Sequence, residues 1–155
     1  MVNFGGWDMP IHYGSKIEEN HSVRQTAGAF DVSHMTVLEL RGADIEAYLD
    51  KLLKNDIRKL SKPGQAMYYA MLNEDGGVLD DLIVYSTGNP TLVVVNGATC
   101  SRDIAWMRGG AKSVEVDIQE RVDLAVVAVQ GPDALTRLDA VLDEKRPLAA
   151  ARLLV

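Results

Sequence analysis

From Asn73 to Tyr85 the chain reads NEDGGVLDDLIVY, a turn signal at Asp75-Gly76-Gly77 leading into an apolar stretch interrupted by two adjacent carboxylates, Asp80 and Asp81. Successive side chains of a strand point to opposite faces, so Leu79, Asp81, Ile83 and Tyr85 share one face while Val78, Asp80, Leu82 and Val84 share the other. Both faces are mainly apolar, the pattern of a strand covered on both sides. On that reading at least one carboxylate points toward a covered surface, where it requires a partner, a hydrogen bond or a proton. On the alternative reading both lie close enough to the turn for water to reach them.

The neighbouring patterns extend this strand into a meander. Gln65 to Leu72 reads as its antiparallel partner across the turn, and after Gly88-Asn89-Pro90 the β-branched run at 91–96 reads as a third strand. Upstream, period two sets in at Phe30, with Val32, Thr36, Leu38 and Leu40 on one face of a single strand that Gly42 ends. Ile45, Tyr48, Leu49, Leu52 and Leu53 follow the spacing of one helical stripe, with Asn55 as its stop. Ser15 and Glu18 fit a capping box that opens a helix to about Ala27, stopped by Gly28. A further helix, capped by Thr99 or Ser101, runs through Ile104 and Met107 to Gly109-Gly110. Strands are expected over 114–118 and 124–129, followed by a helix starting at Gly131-Pro132-Asp133 with Leu135, Leu138, Val141 and Leu142 as its stripe. The opening MVNFGGWDMPIHYG has no clear period and reads as an irregular segment. Antiparallel runs with helices between them predict an α+β fold, antiparallel sheets flanked by helices.

Composition changes this picture little. The 155 residues, 47% hydrophobic and 25% charged, suit one soluble globular unit or a piece of a larger one. A net charge of -6, from 16 basic and 22 acidic residues, together with the lack of a basic stripe, argues against a nucleic-acid partner. Lys51, Lys54, Arg58, Lys59 and Lys62 form the densest basic cluster, read either as a solvated helix end or as a docking patch for an acidic partner. Cys100 is the sole cysteine, so an intrachain disulfide and a cysteine-based metal site are excluded, and a reducing, cytoplasmic setting is expected. The apolar runs are too short for a membrane-spanning helix.

Several chemistries find little support. His12, His21 and His34 lack metal-ligand spacing, and the glycine pairs do not extend into dinucleotide or P-loop motifs. Met35, Met67, Met71 and Met107 are expected as core filler, and Cys100 as a small buried residue. What remains is the sheet around Asp81, with Tyr85 on its face, Tyr68 or Tyr69 on the adjoining strand and Asn96 ending the next. Flat apolar walls with one carboxylate and one amide suit an aromatic heterocycle with ring nitrogens, although a sheet core with two tyrosines produces the same pattern without a ligand.

GWDMPIHY (6–13), VRQTAGAFDVSHM (23–35), LKNDI (53–57), YAMLNEDGGVLDDLIVY (69–85), VVVNGA (93–98) and VQGPDA (129–134) occur in an order and spacing that resembles aminomethyltransferase, the T-protein of the glycine cleavage system. The resemblance runs from about Asn3 to Leu138, and FDVSHM together with GGVLDDLIVY is a specific combination. It implies a tetrahydrofolate-dependent enzyme that takes the aminomethyl group from the dihydrolipoyl arm of H-protein, releases ammonia and passes the one-carbon unit to the folate. It further implies that Asp81, the second aspartate of the pair, raises the nucleophilicity of the folate amine, and that Met35, Tyr68, Ile83, Tyr85, Val94 and Asn96 line the folate pocket. Asp80, on the opposite face, inherits no catalytic role.

Members of that family are more than twice as long. Residues 1–155 are therefore expected to be the N-terminal portion of the folate-binding region with the later domains absent, a fragment inactive alone and prone to self-association through uncovered apolar surface. The alternative is a non-catalytic folate-binding protein of the same superfamily. Relatives of that kind that assist iron–sulfur cluster assembly carry a KGCYxGQE-like motif, which this sequence lacks. A structural remnant that binds nothing is the third reading.

Overall fold

The computed structural model describes residues 1–142 and the strand Arg152–Leu154. In chain order the elements are β1 (Val2–Phe4), β2 (Trp7–Met9), α1 (Lys16–Gln25), β3 (Gly28–Asp31), β4 (Thr36–Arg41), α2 (Ile45–Leu52), β5 (Gln65–Leu72), β6 (Val78–Ser86), β7 (Thr91–Val95), α3 (Cys100–Ala111), β8 (Asp117–Glu120), β9 (Val127–Gln130), α4 (Ala134–Asp139) and β10 (Arg152–Leu154). Contacts divide them into two compact units. Sheets are antiparallel except where β10 runs parallel to β5, and the α+β expectation holds.

The unit that carries the candidate site is built on a six-stranded sheet of order β10-β5-β6-β7-β4-β8. Its central meander forms as the alternation predicts from Asp80 to Tyr85, because the β5–β6 turn is locally encoded; a register shift between Met71 and Leu72 interrupts the alternation at Leu79, which packs against the core instead of standing on the Asp81 face. Asn73 Oδ1 accepts the N–H groups of Asp75 (3.1 Å) and Gly77 (2.6 Å), and Gly76 supplies the positive φ of 81°. One face of the sheet presents Leu38, Leu40, Tyr69, Met71, Leu82, Val84, Val93 and Val95, which pack with Tyr48, Leu49, Leu52, Ile104 and Met107 of α2 and α3 into the core. Of the four methionines read as filler, Met67, Met71 and Met107 are buried there, whereas Met35 is half-buried just before β4.

Several elements depart from expectation, each through a tertiary contact. Helix α2 ends at Leu52 rather than at Asn55, because Leu53 bridges to Met71 and Lys54 donates to the Ala70 carbonyl (3.0 Å), drawing the chain straight beside β5. Helix α3 continues through Gly109-Gly110 to Ala111. Gly110 lies against the Tyr48 ring, whose hydroxyl donates to the Met107 carbonyl (2.7 Å), so the small residues serve close helix packing instead of termination. The strand expected over 114–118 begins only at Asp117, because both backbone groups of Glu115 are taken by Asp44.

In the other unit, the opening segment is a hairpin rather than irregular chain: β1 pairs with β2, joined by Gly5 and Gly6 at φ 59° and 93°, values that suit a two-residue turn. Ser15 caps α1 by accepting from the Glu18 N–H (3.4 Å), but Glu19, not Glu18, reaches back, accepting from the Tyr13 N–H (2.7 Å). The single strand expected from Phe30 to Leu40 is two strands in different sheets. The chain turns at 32–35, where the Val32 N–H donates to the Val126 carbonyl (2.9 Å), and β3 pairs with β9. Strand β9 spans Val127–Gln130 instead of 124–129. Helix α4 starts after Asp133, whose side chain makes no capping bond, and buries Ala134, while Leu135, Val141 and Leu142 of its expected stripe are exposed. Of the C-terminal apolar residues Leu153 and Leu154 fall in β10, and Val155 lies outside the described residues.

Candidate functional site

The second face of the six-stranded sheet gathers the sequence-predicted site residues. Register places Tyr68 of β5 opposite Ile83 of β6, Ile83 opposite Val94 of β7 and Val94 opposite Val37 of β4, a continuous cross-strand row. Tyr85 begins the next row, between Ala66 and Leu92. On the other side Asp81 pairs with Ala70. Leu82 and Thr36 both pair with Val95, so continuing the register by one residue brings Asp81 and Met35 to either side of Asn96. Asp81, Ile83, Tyr85, Tyr68 and Val94 thus share one face within the strands, with Met35 and Asn96 one residue beyond the ends of β4 and β7, and of the two tyrosines it is Tyr68 that stands on this face. Tyr69 is fully buried on the core face, whereas Tyr68 is 48% exposed. Ile83 and Tyr85 are half-buried and Val94 is buried.

At the end of this wall Asn96 and Asp81 are bonded directly. The Asn96 Nδ2 group donates to Asp81 Oδ1 (2.5 Å), to the Asp81 carbonyl (3.2 Å) and to Asp80 Oδ1 (2.9 Å). Asp81 is half-buried, and among the described residues its Oδ1 is the bonded oxygen, which leaves Oδ2 available to a ligand. An oriented carboxylate next to an aromatic and aliphatic wall can accept a proton from, or align, an amine of a flat heterocycle.

The two readings of the aspartate pair divide between the two residues. Asp80 is the covered one, its side chain 15% exposed and ion-paired with Arg102 (3.0 Å). Burial alone would raise its carboxyl, but hydrogen bonds from Thr99, the Asp81 N–H and Asn96 hold it below the usual carboxylate range. Asp103, in the first turn of α3, is 1% exposed. Burial pushes its carboxyl up, and the nearby Asp80 adds to this against the opposing bonds from Thr99 and Arg102. Its Oδ2 is buried without a partner among the described residues.

Arg102 and Asp103 were not legible as site residues, because they meet Asp80 across more than twenty positions of sequence with no local pattern between them. A carboxyl raised in the folded state favours folding while protonated and costs stability as pH rises from the ordinary value toward the raised one. Asp80, lowered, contributes stability that is present above its unfolded value and is lost as pH falls through its folded one. Thermal melts at pH 3 to 8 should therefore show the Asp103→Asn variant gaining on the wild type as pH rises; a difference independent of pH would contradict it.

Elsewhere in this unit, Glu39 is 4% exposed on the second face and bonded to Arg41 (2.5 Å) and to Arg121, a covered carboxylate with solvent-reaching arginine partners, unforeseen from the alternation of β4. The basic residues Lys51, Lys54, Arg58, Lys59 and Lys62 are exposed, with Arg58 ion-paired to Asp56 (2.7 Å). Among the described residues, no cluster of three potential metal ligands occurs, and no helix is long and apolar enough to cross a membrane.

Fold and site together define an α+β protein whose six-stranded sheet carries a hydrogen-bonded carboxylate beside an aromatic and aliphatic row. Sequence comparison specifies it further: the family described as GCVT N-terminal domain matches residues 1–153, and the chain belongs to that family. It is 53% identical over 155 residues to a protein named aminomethyltransferase from Alcanivorax borkumensis, covering 100% of this chain and 43% of that one. It is 54% identical over 135 residues to an aminomethyltransferase from Stenotrophomonas maltophilia, covering 86% of this chain and 36% of that one. The crystal structure of glycine cleavage system aminomethyltransferase T from Bartonella henselae superposes with a TM-score of 0.83 at 33% identity, over 95% of this chain and 41% of that one. The chain thus spans about two fifths of the length of the relatives it matches.

Proposed function

We propose that this chain supplies the folate-facing sheet of a cytoplasmic aminomethyltransferase of glycine cleavage. In this reading a one-carbon unit carried as an aminomethyl group on the dihydrolipoyl arm of H-protein passes to tetrahydrofolate; ammonia and the free dihydrolipoyl thiol leave, and methylenetetrahydrofolate forms. The observation that carries the reading is the row Tyr68, Ile83 and Val94 beside the bonded pair Asp81 and Asn96. The flat pterin would lie on that wall, with Tyr85 and Met35 at its borders. Asp81 would align and deprotonate the folate amine as it attacks the methylene carbon. The names borne by relatives at about half identity support the same assignment.

Isothermal titration with tetrahydrofolate tests the binding half. Wild-type chain is expected to give saturable heat, and Tyr68→Ala, at a half-exposed position where truncation spares the core, to weaken binding about 5-fold through loss of ring stacking. Absence of saturable binding at millimolar folate, or identical affinity in the variant, would overturn it.

A further inference from the structure

Asp80 lies outside the face that a folate would meet, yet its carboxylate is bonded to both partners that define that face's chemistry. Oδ1 accepts the backbone N–H of Asp81 (2.8 Å) and the Asn96 side-chain amide (2.9 Å). Oδ2 accepts from Arg102 Nη2 (3.0 Å), and that guanidinium is held in turn by the Leu79 carbonyl (2.9 Å) and Asp103 Oδ1 (3.1 Å). Oxygens of Asp80 and Asp81 converge on one side of Asn96, so its carboxamide must turn nitrogen toward them; the flipped amide would set its oxygen against two carboxylates with no donor between. A strand carboxylate without such a brace samples several χ1 and χ2 settings, and catalysis by an oriented group declines with that freedom.

We propose that Asp80 is a positioning residue: braced by Arg102 and Asp103, it locks the Asn96 amide and the Asp81 peptide so that the Asp81 carboxylate keeps one orientation toward its substrate. This rests on the reading of Asp81 as the folate-facing carboxylate. The first aspartate of the pair thereby acts through the second, from the opposite side of the same strand.

The test compares wild type, Asp80→Ala, Asn96→Ala, the double variant and Asp81→Asn, in the polypeptide that carries this sequence, supplied with tetrahydrofolate and aminomethyl-loaded lipoyl protein. Asp80→Ala should lower kcat about 10-fold with KM for tetrahydrofolate within about 2-fold, because orientation rather than binding is lost. The double variant should fall no further than Asn96→Ala alone, the non-additivity of two residues acting through one contact. Additive losses, an effect on KM alone, or unchanged kcat overturn the proposal. A ligand-free measurement accompanies this: the Asn96 side-chain amide protons, observed by NMR, should exchange slowly in the wild type and at least 10-fold faster in Asp80→Ala, and equal rates in the two overturn it. If Asp80→Ala does not fold, Asp80→Asn replaces it in both arms, keeping an acceptor oxygen but losing the charge that holds Arg102, with a smaller loss of the same kind expected. Retained transfer in Asp81→Asn would bring down the site reading and this proposal together. Lost transfer in Asp81→Asn with normal turnover in Asp80→Ala would bring down the positioning role alone.

Discussion

Asp81→Asn is expected to lower aminomethyl transfer to tetrahydrofolate by about 100-fold or more, the span ascribed to a positioned general base, while folate affinity changes less than about 10-fold. The asparagine keeps an oxygen for the Asn96 amide, so the Asp81–Asn96 contact and the fold survive. What disappears is the anionic oxygen that would face the attacking amine. The substitution therefore acts on turnover rather than on binding. Steady-state rates with separate folate titrations decide the matter: turnover within 3-fold of wild type would remove Asp81 from the chemistry. The alternative of a non-catalytic folate binder predicts no transfer in either protein together with equal folate binding.

Gly42→Ala is expected to destabilise the fold by about 3 kcal/mol, combining a backbone strain of ~1–3 kcal/mol with an overpacking cost of similar size. Gly42 sits at φ 139°, and a Cβ there would lie 1.9 Å from the Glu115 carbonyl oxygen and 3.0 Å from the Val116 Cα. Both obstacles are backbone, so a side-chain rotation cannot relieve them. The segment cannot retreat freely, because the Asp44 N–H donates to that same carbonyl (3.3 Å) and the Asp44 carboxylate accepts from the Glu115 N–H (2.8 Å). Urea midpoints measure the effect, and a loss below about 1 kcal/mol would show that the loop repacks cheaply. Gly76→Ala makes an informative comparison: its φ is 81° but a Cβ would meet nothing within 4 Å, so only the backbone part of the cost applies.

Much of the candidate site was legible because it lies on a meander. Strands β5, β6 and β7 follow one another through short turns, so alternation within each strand, once the turns are counted, dictates which side chains share a face. That is why Asp81, Ile83 and Tyr85 could be placed on one face, with a tyrosine of β5 and Asn96 beside them, from the sequence pattern alone; the choice of Tyr68 and the inclusion of Val94 and Met35 came from the family resemblance. Other features could not be read in this way. Val32, Thr36, Leu38 and Leu40 keep to period two, yet the backbone leaves one sheet for another between the first two, because the Val32 N–H finds its acceptor at Val126. A glycine pair predicts a helix stop, yet in α3 it meets a tyrosine ring and the helix continues.

The sequence by itself determined the class of fold, the central meander, the stripe of α2 and the face on which Asp81 stands, since all of these follow from periodicities of two and 3.6 with turn residues at their ends. Only the tertiary structure decided what that carboxylate's neighbour does. Asp80 looked like a second polar interruption with no assigned role; folding brings the first turn of α3 against it, where Arg102, itself held by the buried Asp103, takes up its charge and Asn96 carries its constraint to Asp81. Local pattern specifies direction, because a side chain's face depends on its own backbone. Partnership between charges depends on which distant segments share a low-dielectric space, and that is settled only when the chain is packed.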